Sequence, residues 1–250
     1  MISCEICYEN RPPPASDWLA AMTELAHTME EAIVAAFESH RDPSRAEGMS
    51  AYMKNRFPFL GINSPMRRQL AQTVLSGLPR PDHRDLAAFA RLCWERPERE
   101  YQYAAIDQLR KATKRLPVSF LEELRWMIVT KPWWDSCDPL SGTVVGGIVR
   151  RFPESASVME GWICDPILWL RRAALLHQLK WKESCDQDRL FRFCVLTMEE
   201  KDFFIRKAIG WALRQHARVA PDDVTHFLME HRPRLSGLSF REAAKHLDLR

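Results

Sequence analysis

The amino-acid sequence predicts an all-α protein built as a solenoid of stacked helix pairs, and three observations carry this prediction. Apolar residues recur at spacings of three and four almost throughout the 250-residue chain. Proline-containing breaks interrupt that pattern at short intervals. Glycine, which supplies tight hairpin turns and is disfavoured within helices, occurs only nine times. No segment is convincing as a strand.

The elements follow from these breaks in order. The first amphipathic helix is predicted from the apolar residues Trp18, Leu19, Met22, Leu25, Met29, Ile33 and Phe37. New helices are predicted after breaks at Asp42-Pro43, Asn63-Ser64-Pro65, Asp82, Arg96-Pro97, Leu116-Pro117, Lys131-Pro132, Phe152-Pro153, Asp165-Pro166 and Ala220-Pro221. At two of them, Ser64 and Asp165 are expected to cap a helix whose first position is the following proline. Ser239 and Glu242 have the spacing of a capping box.

These helices number about twelve over roughly 230 residues, which gives pairs of roughly 40 residues, the period of HEAT-like repeats. Such pairs stack into a curved array because none buries its apolar face alone. We therefore expect residues 18–250 to form one HEAT-like α-solenoid of about six helix pairs with a concave surface. A globin-like or four-helix-bundle core is the alternative, but short proline-punctuated helices suit stacking better.

The N-terminal residues 1–17 are predicted to be a disordered extension. Three consecutive prolines from Pro12 cannot enter a helix interior. Cys4 and Cys7 have the spacing of metal ligands, but no second pair or nearby histidine completes a tetrahedral site. The start of the chain lacks the pattern of a secretory signal, and no stretch has the length of a membrane span. We therefore expect a cytosolic protein with reduced thiols.

Positive charge is concentrated toward the C-terminus. Residues 141–250 contain 18 Lys and Arg against 14 Asp and Glu, whereas residues 1–140 contain 18 against 19. Two stretches, 166–182 and 203–221, contain four cations each and no acid. Together they could form one positive face, which is typical of a polyanion binder. The alternative is an ordinary solvated helix surface.

An unusual segment combines adjacent tryptophans with carboxylates. Trp133 and Trp134 point to different faces of a helix, so they cannot both be buried in one packing layer. Asp135 and Asp138 follow them. An aromatic wall beside a carboxylate suits a planar, positively charged group. Alternatively, one tryptophan belongs to the core and one of the aspartates caps a helix ahead of Pro139.

Two other segments pair tryptophan with arginine. Arg214 lies three residues after Trp211, so the two can share a helix face. Trp169 precedes Arg171 and Arg172, and arginines bind phosphate well through bidentate contacts; the alternative is surface arginines that cover a core helix. The histidines show no metal-ligand spacing, and neither a nucleophile elbow nor a glycine-rich phosphate loop occurs. We expect no metal and no cofactor.

At these residues the chain resembles the AlkD-type bacterial DNA alkylation repair glycosylases. The resemblance runs in order from about residue 26 to 247, in the blocks Tyr52–Ile62, Pro65–Arg68, Trp133–Asp138, Trp169–Ala174, Phe203–Arg214 and Ser239–His246. It implies a HEAT-like solenoid whose concave basic face grips duplex DNA. It also implies excision of cationic N3- and N7-alkylated purines by hydrolysis of the N-glycosidic bond, without base flipping. Such a protein would act as a monomer in the bacterial cytosol, with no obligate protein partner.

Carried over by position, the resemblance also implies roles for individual residues. Asp138 would be the catalytic carboxylate, and Trp134 and Trp211 the aromatic walls at the deoxyribose of the lesion. Arg172 and Arg214 would contact DNA phosphates. Further DNA contacts are expected from Tyr52, Lys54, Asn63 and Arg68, although Asn63 stands where the family is expected to have glutamine.

Two other function classes are open at this point. One is a non-catalytic HEAT-like solenoid that binds duplex or branched DNA, and the other is a protein-binding scaffold. A pure DNA binder does not require the carboxylate of Asp138, and a protein-binding scaffold would favour an acidic or apolar groove. The sequence therefore favours the glycosylase.

Overall fold

The computed structural model describes residues 23–248, and every regular element within that range is helical. The predicted all-α class is confirmed. Residues 18–22 of the first predicted helix, the extension 1–17, and Cys4 and Cys7 lie outside the described residues. No helix within 23–248 is long and apolar enough to cross a membrane.

The chain divides into two compact units, Met1–Lys131 and Pro132–Arg250. The helices of the first unit are α1 (Glu24–Glu38), α2 (Pro43–Tyr52), α3 (Ser64–Leu75), α4 (His83–Glu95), α5 (Arg99–Ala112) and α6 (Phe120–Val129). Those of the second are α7 (Trp134–Pro139), α8 (Gly146–Arg151), α9 (Ala156–Ile163), α10 (Leu168–Leu176), α11 (Gln187–Thr197), α12 (Phe203–His216), α13 (Pro221–Glu230) and α14 (Gly237–Ala243). A π-helical segment, Leu140–Val145, joins α7 to α8. The prediction of a single domain over residues 18–250 stays a prediction.

The helix starts agree with most of the predicted breaks. Asp42 caps α2 with Pro43 at its first position, and Asp82 forms a capping box with Asp85 at the start of α4. Both arrangements satisfy backbone N–H groups that have no partner within the helix. Thr23 caps α1 by accepting from the N–H of Ala26.

Three predicted caps are wrong. The cap of α3 is Asn63, one residue before Ser64. Asp165 accepts from the N–H of Ile167 at 2.8 Å, so it closes a turn, and α10 begins only at Leu168. The cap of α14 is Ser236, and Ser239 lies inside that helix. At α3 and α14 a neighbouring polar residue supplies the cap instead, whereas the N-cap position of α10 is Ile167, which has no side-chain oxygen to cap the helix.

Each unit builds its own core from neighbouring helices. In the first, α1 packs against α3 and α4, and α4 packs against α5, around buried side chains such as Phe37, Phe89 and Leu109. In the second, α10 is central, because it contacts α7, α9 and α12 and nearly all of its residues are buried. α12 in turn packs closely on α14. This arrangement sets the surroundings of Asp138 and Arg172.

Candidate functional site

Asp138 lies on a short helix with an irregular end. α7 has six residues, and the chain then continues as the π-helical segment Leu140–Val145. Pro139 has no N–H to donate within the helix, and the hydroxyl of Ser141 donates to the carbonyl of Cys137 at 2.6 Å. Single π-helical turns often occur at functional sites.

Neither aspartate of this segment is a helix cap. Trp133 occupies the N-cap position of α7 in extended conformation, and Asp135 and Asp138 both lie inside the helix. The capping alternative is therefore wrong. The carboxylate of Asp138 is available for another interaction.

That interaction is a bidentate ion pair with Arg172 on α10. Nε and Nη2 of Arg172 donate to Oδ1 and Oδ2 of Asp138 at 2.7 and 2.8 Å. The third guanidinium nitrogen, Nη1, donates to the backbone carbonyl of Phe204 in the first turn of α12. The side chain of Arg172 is 5% exposed and that of Asp138 is 14% exposed. Two parallel bonds fix both position and orientation of the carboxylate.

Burial and pairing act on the carboxylate in opposite directions. Burial raises the pKa of Asp138 above its ordinary value, and the guanidinium of Arg172 opposes that rise. For Arg172 burial is the largest influence and lowers the pKa, but the hydrogen bonds to Asp138 and the attraction of its charge together outweigh burial, so the net shift of the pKa is upward. Arg172 is therefore charged at every physiological pH, and Asp138 is the member of the pair that can titrate.

An aromatic cluster holds the three helices of this site together. The rings of Trp133, Trp169 and Phe204 lie 4.9–5.7 Å apart between centroids, in tilted or edge-on contact. Trp133 is thus the core tryptophan of the adjacent pair, and Trp134 is only half-buried. Trp134 is four residues from Asp138, so the two side chains lie on the same side of α7.

Trp211 and Arg214 lie farther along α12. Trp211 is half-buried and follows Phe204 by seven residues, about two helical turns. Nη1 of Arg214 donates to Glu242 of α14 at 2.7 Å, and Lys207 pairs with the same carboxylate at 2.9 Å. The phosphate role of Arg214 stays a prediction, as does that of Arg172.

In the folded chain, carboxylates from other segments lie beside the cations of the two acid-free stretches, 166–182 and 203–221. Arg171 forms a bidentate pair with Glu200 at 2.8 and 2.9 Å. Arg172 pairs with Asp138, and Lys207 and Arg214 pair with Glu242. At least half of the eight cations in these stretches are therefore compensated by carboxylates from other segments. No local sequence signal identifies Glu200 or Glu242, because both are about 30 residues from their partners.

The remaining predicted DNA contacts belong to the first unit. Tyr52 is 68% exposed at the end of α2, and Lys54 is exposed just after it. The side chain of Arg68 on α3 is 57% exposed, with Nε 3.6 Å from Oδ2 of Asp107. Asn63 uses its side-chain oxygen to cap α3, accepting from the N–H of Met66 at 3.0 Å. Asn63 thus has a structural role that the sequence assigned to Ser64.

The described residues contain no candidate metal site. Within residues 23–248, no three side chains of His, Cys, Asp or Glu are grouped closely enough to hold a metal ion. The chemistry of the site is that of a fixed carboxylate, a guanidinium and aromatic faces.

Comparison with known proteins identifies the family. A family model described as DNA alkylation repair enzyme matches residues 33–247. The chain belongs to this family. The match spans both units and contains every candidate site residue named above.

Two solved structures are similar to this DNA alkylation repair family member. A predicted DNA alkylation repair enzyme from Enterococcus faecalis is 32% identical, with a TM-score of 0.77, over 84% of this chain and 98% of that one. The protein smu.31 from Streptococcus mutans UA159 is 16% identical, with a TM-score of 0.60, over 88% of this chain and 100% of that one, which shows similarity of fold alone. No curated protein matches at a significant level.

Proposed function

We propose that this protein is a monofunctional DNA glycosylase that excises cationic N3- and N7-alkylated purines from duplex DNA. The observation that carries the proposal is the carboxylate of Asp138. It is fixed by Arg172 and lies one helical turn from a half-buried tryptophan, in a chain that belongs to the DNA alkylation repair family.

Hydrolysis of the N-glycosidic bond of an alkylated purine requires little beyond a fixed carboxylate and neighbouring aromatic side chains. An alkylated purine already carries positive charge, so it leaves without protonation by a general acid. As the N-glycosidic bond breaks, positive charge develops on the deoxyribose. A carboxylate held beforehand in position stabilises that charge, and more strongly in a partly buried site than in water. Aromatic faces of Trp134 and Trp211 would add cation–π stabilisation.

Arg172 has a defined part in this proposal. Its two bonds use one lone pair on each oxygen of Asp138, and each oxygen keeps a second acceptor site. One of these can accept a hydrogen bond from the attacking water, and the other can face the sugar. Arg172 is therefore a positioning residue for Asp138, in addition to any phosphate contact it makes.

DNA binding is proposed to involve both units. Tyr52, Lys54 and Arg68 are exposed in the first, and Arg214 is half-buried in the second. Phosphate contacts set the register of the duplex. The proposed reaction does not involve base flipping, because Asp138 and the two tryptophans act on the sugar and no pocket for an extruded base is required.

The test is a base-release assay on the purified protein. Duplexes that contain a single N7-methylguanine or N3-methyladenine should lose the free base, leaving an abasic site, whereas an undamaged duplex of the same sequence should not. Binding to both duplexes without base release would reject the glycosylase and favour the non-catalytic DNA-binding solenoid. Absence of DNA binding altogether would reject both.

A further inference from the structure

The end of α2 has a lysine where helix termination favours glycine. Lys54 N–H donates to the carbonyl of Ala51 at 3.0 Å, and Asn55 N–H donates to that of Ser50 at 2.8 Å. These two bonds define a Schellman motif in which Lys54 occupies the left-handed position after the helix, with φ of 60°. Asn55 follows, also left-handed, at φ of 55°.

A lysine at this position is unfavourable for the backbone. Its Cβ crowds the following carbonyl in the left-handed region, where glycine has no such clash. Non-glycine residues in that region persist when surrounding structure holds them, and they are concentrated at functional sites. Because glycine would form the same turn, the lysine side chain is the feature that needs an explanation. The side chain of Lys54 is exposed, so its ammonium is accessible to solvent at the end of α2.

The segment after this turn is anchored by a buried carboxylate on α5. The backbone N–H groups of Leu60, Gly61 and Ile62 donate to Glu100 at 3.0, 2.9 and 3.1 Å. Glu100 is fully buried. Three consecutive N–H groups on one carboxylate fix the path of the chain, since charge-assisted bonds of this kind are stronger than neutral ones.

Other contacts hold the same segment at its two ends. The N–H of Arg99 donates to the carbonyl of Pro58 at 3.0 Å, and the hydroxyl of Ser50 donates to Phe57 at 2.7 Å. Gly61 has φ of 91°, and a Cβ there would lie 2.1 Å from the carbonyl oxygen of Asp42. The backbone from Phe57 to Ile62 is therefore fixed against α2 and α5, and this leaves residues 54–56 as the exposed turn.

We propose that Glu100 is a positioning residue for DNA binding, which holds the segment 57–62 so that the turn at Lys54 presents its ammonium to a phosphate of duplex DNA. This inference rests on the proposed function. It adds a buried residue of the first unit that sets affinity without taking part in bond cleavage.

The experiment compares Glu100→Gln with Lys54→Gly in the full chain. A glutamine side chain offers one acceptor oxygen in place of two, so at least one of the three backbone bonds is lost. Affinity for an undamaged duplex should fall about fivefold or more in either variant. The slope of log affinity against log salt concentration should become less steep by about one. Single-turnover excision at saturating protein is measured beside affinity, because at saturation this rate reports the chemical step and a change in affinity alone does not move it. Lys54→Gly should melt at the same temperature or higher, because it relieves the left-handed turn.

The double variant separates positioning from a general structural effect. If Glu100 acts through Lys54, the double variant should bind no more weakly than either single variant. Independent, additive losses would overturn the proposal, as would parental affinity in Glu100→Gln. Removal of an acid alone should strengthen DNA binding, which makes the exposed Glu122→Gln a matched control expected to bind at least as well as the parent. Should Glu100→Gln fail to fold, Glu100→Asp keeps the charge and shortens the reach by one methylene, and the same comparison applies.

Failure of the inference about Glu100 and failure of the proposed glycosylase function give different results. A parent protein that binds duplex DNA and releases alkylated purines, with Glu100 variants of unchanged affinity, would reject this inference alone. A parent that does not bind DNA would reject the proposed function first.

Discussion

Asp138 and Arg172 depend on each other, because both are largely removed from water and each satisfies the charge of the other. The pair links α7 to α10, and Nη1 of Arg172 extends the link to the first turn of α12. A change at either residue therefore acts on stability as well as on chemistry. Measurements of rate need a measurement of folding beside them.

Asp138→Asn should separate these two effects. An asparagine can accept only one of the two bonds from Arg172 and carries no charge, so we expect a loss of about 1–3 kcal/mol in the free energy of unfolding. Excision should fall at least about 100-fold, equivalent to roughly 2.7 kcal/mol of transition-state stabilisation. Duplex affinity should hold or improve, since a negative charge is removed. Melting curves, binding and single-turnover excision measure the three quantities.

The matched control is Asp135→Asn, which removes the same charge three residues away on α7. It should keep an excision rate within a few-fold of the parent. A folded Asp138→Asn variant with the parental rate would show that the carboxylate serves structure only.

The pH dependence of excision follows from the same carboxylate. Only the ionised form stabilises a cationic sugar, so the rate should fall as pH drops through the pKa of Asp138. Burial raises that pKa above its ordinary value of 3.8, so the fall should begin at a higher pH than for an exposed aspartate. Single-turnover rates, corrected for spontaneous depurination, should lose about tenfold per pH unit below the pKa. A flat profile down to pH 4 would contradict the role of Asp138.

At the scale of helices, the contact between α12 and α14 depends on a residue without a side chain. A Cβ on Gly210 would lie 2.5 Å from Cβ of Glu242 and 2.9 Å from the carbonyl oxygen of Ser239. The close approach places Glu242 where it pairs with Lys207 and Arg214. Glycine weakens a helix interior, so its presence here indicates that packing outweighs propensity.

Gly210→Ala should therefore destabilise the protein by about 1–3 kcal/mol, because the atoms it meets belong to backbone or lie next to it and cannot move alone. The matched control is Gly161→Ala in α9, where nothing lies within 4 Å of the added Cβ. That change should stabilise by about 0.5–1 kcal/mol through helix propensity. Denaturant unfolding of both variants measures the difference, and equal effects would show that the α12–α14 contact adapts.

A buried histidine after α10 should make stability depend on pH. His177 donates from Nδ1 to the carbonyl of Ala174 at 2.6 Å, and burial lowers its pKa from 6.5 to about 4. In the unfolded chain His177 is protonated below pH 6.5, whereas in the folded chain it stays neutral down to about pH 4. The free energy of unfolding therefore falls as pH decreases from 6.5 to 4. The loss should reach about 3 kcal/mol at the lower limit.

Unfolding free energies at pH 7 and pH 4.5, for the parent and His177→Gln, check this expectation. The glutamine variant should lose less stability on acidification than the parent, because a glutamine at position 177 has no group that titrates in this range. The same acid sensitivity in both proteins would assign the effect to other groups.

At the scale of the whole molecule, charge is distributed differently in space than along the chain. The two acid-free stretches contain eight cations, but Arg171, Arg172, Lys207 and Arg214 each pair with a carboxylate brought from another segment. Of the predicted DNA contacts, Lys54 and Arg68 are exposed, although Nε of Arg68 lies 3.6 Å from Asp107, whereas Arg172 and Arg214 are more buried and are paired with carboxylates. Fewer cations are therefore ready to neutralise DNA than the sequence indicates.

This distribution predicts a moderate salt dependence of DNA binding. With two to four phosphates neutralised, the slope of log affinity against log salt should lie between about −2 and −4. Titrations of an undamaged duplex at several salt concentrations measure it. A slope near zero would exclude phosphate contacts as the main source of affinity, and a slope steeper than about −6 would mean that the paired arginines exchange their carboxylates for phosphates.

The sequence by itself determined the all-α class, most helix starts and the residues that carry the family resemblance. It could do so because apolar periodicity, proline breaks and short motifs are local properties of the chain. It also separated the two adjacent tryptophans into different environments, as the structure shows for Trp133 and Trp134.

Only the tertiary structure decided which of several nearby polar residues caps a helix, and what each charge meets. Asn63 and Ser236 act as caps in place of Ser64 and Ser239. Asp138 is the ion-pair partner of Arg172, and Glu100 holds a loop some 40 residues before it. These pairings depend on the distance between side chains in the folded chain, and sequence separation carries no information about that distance.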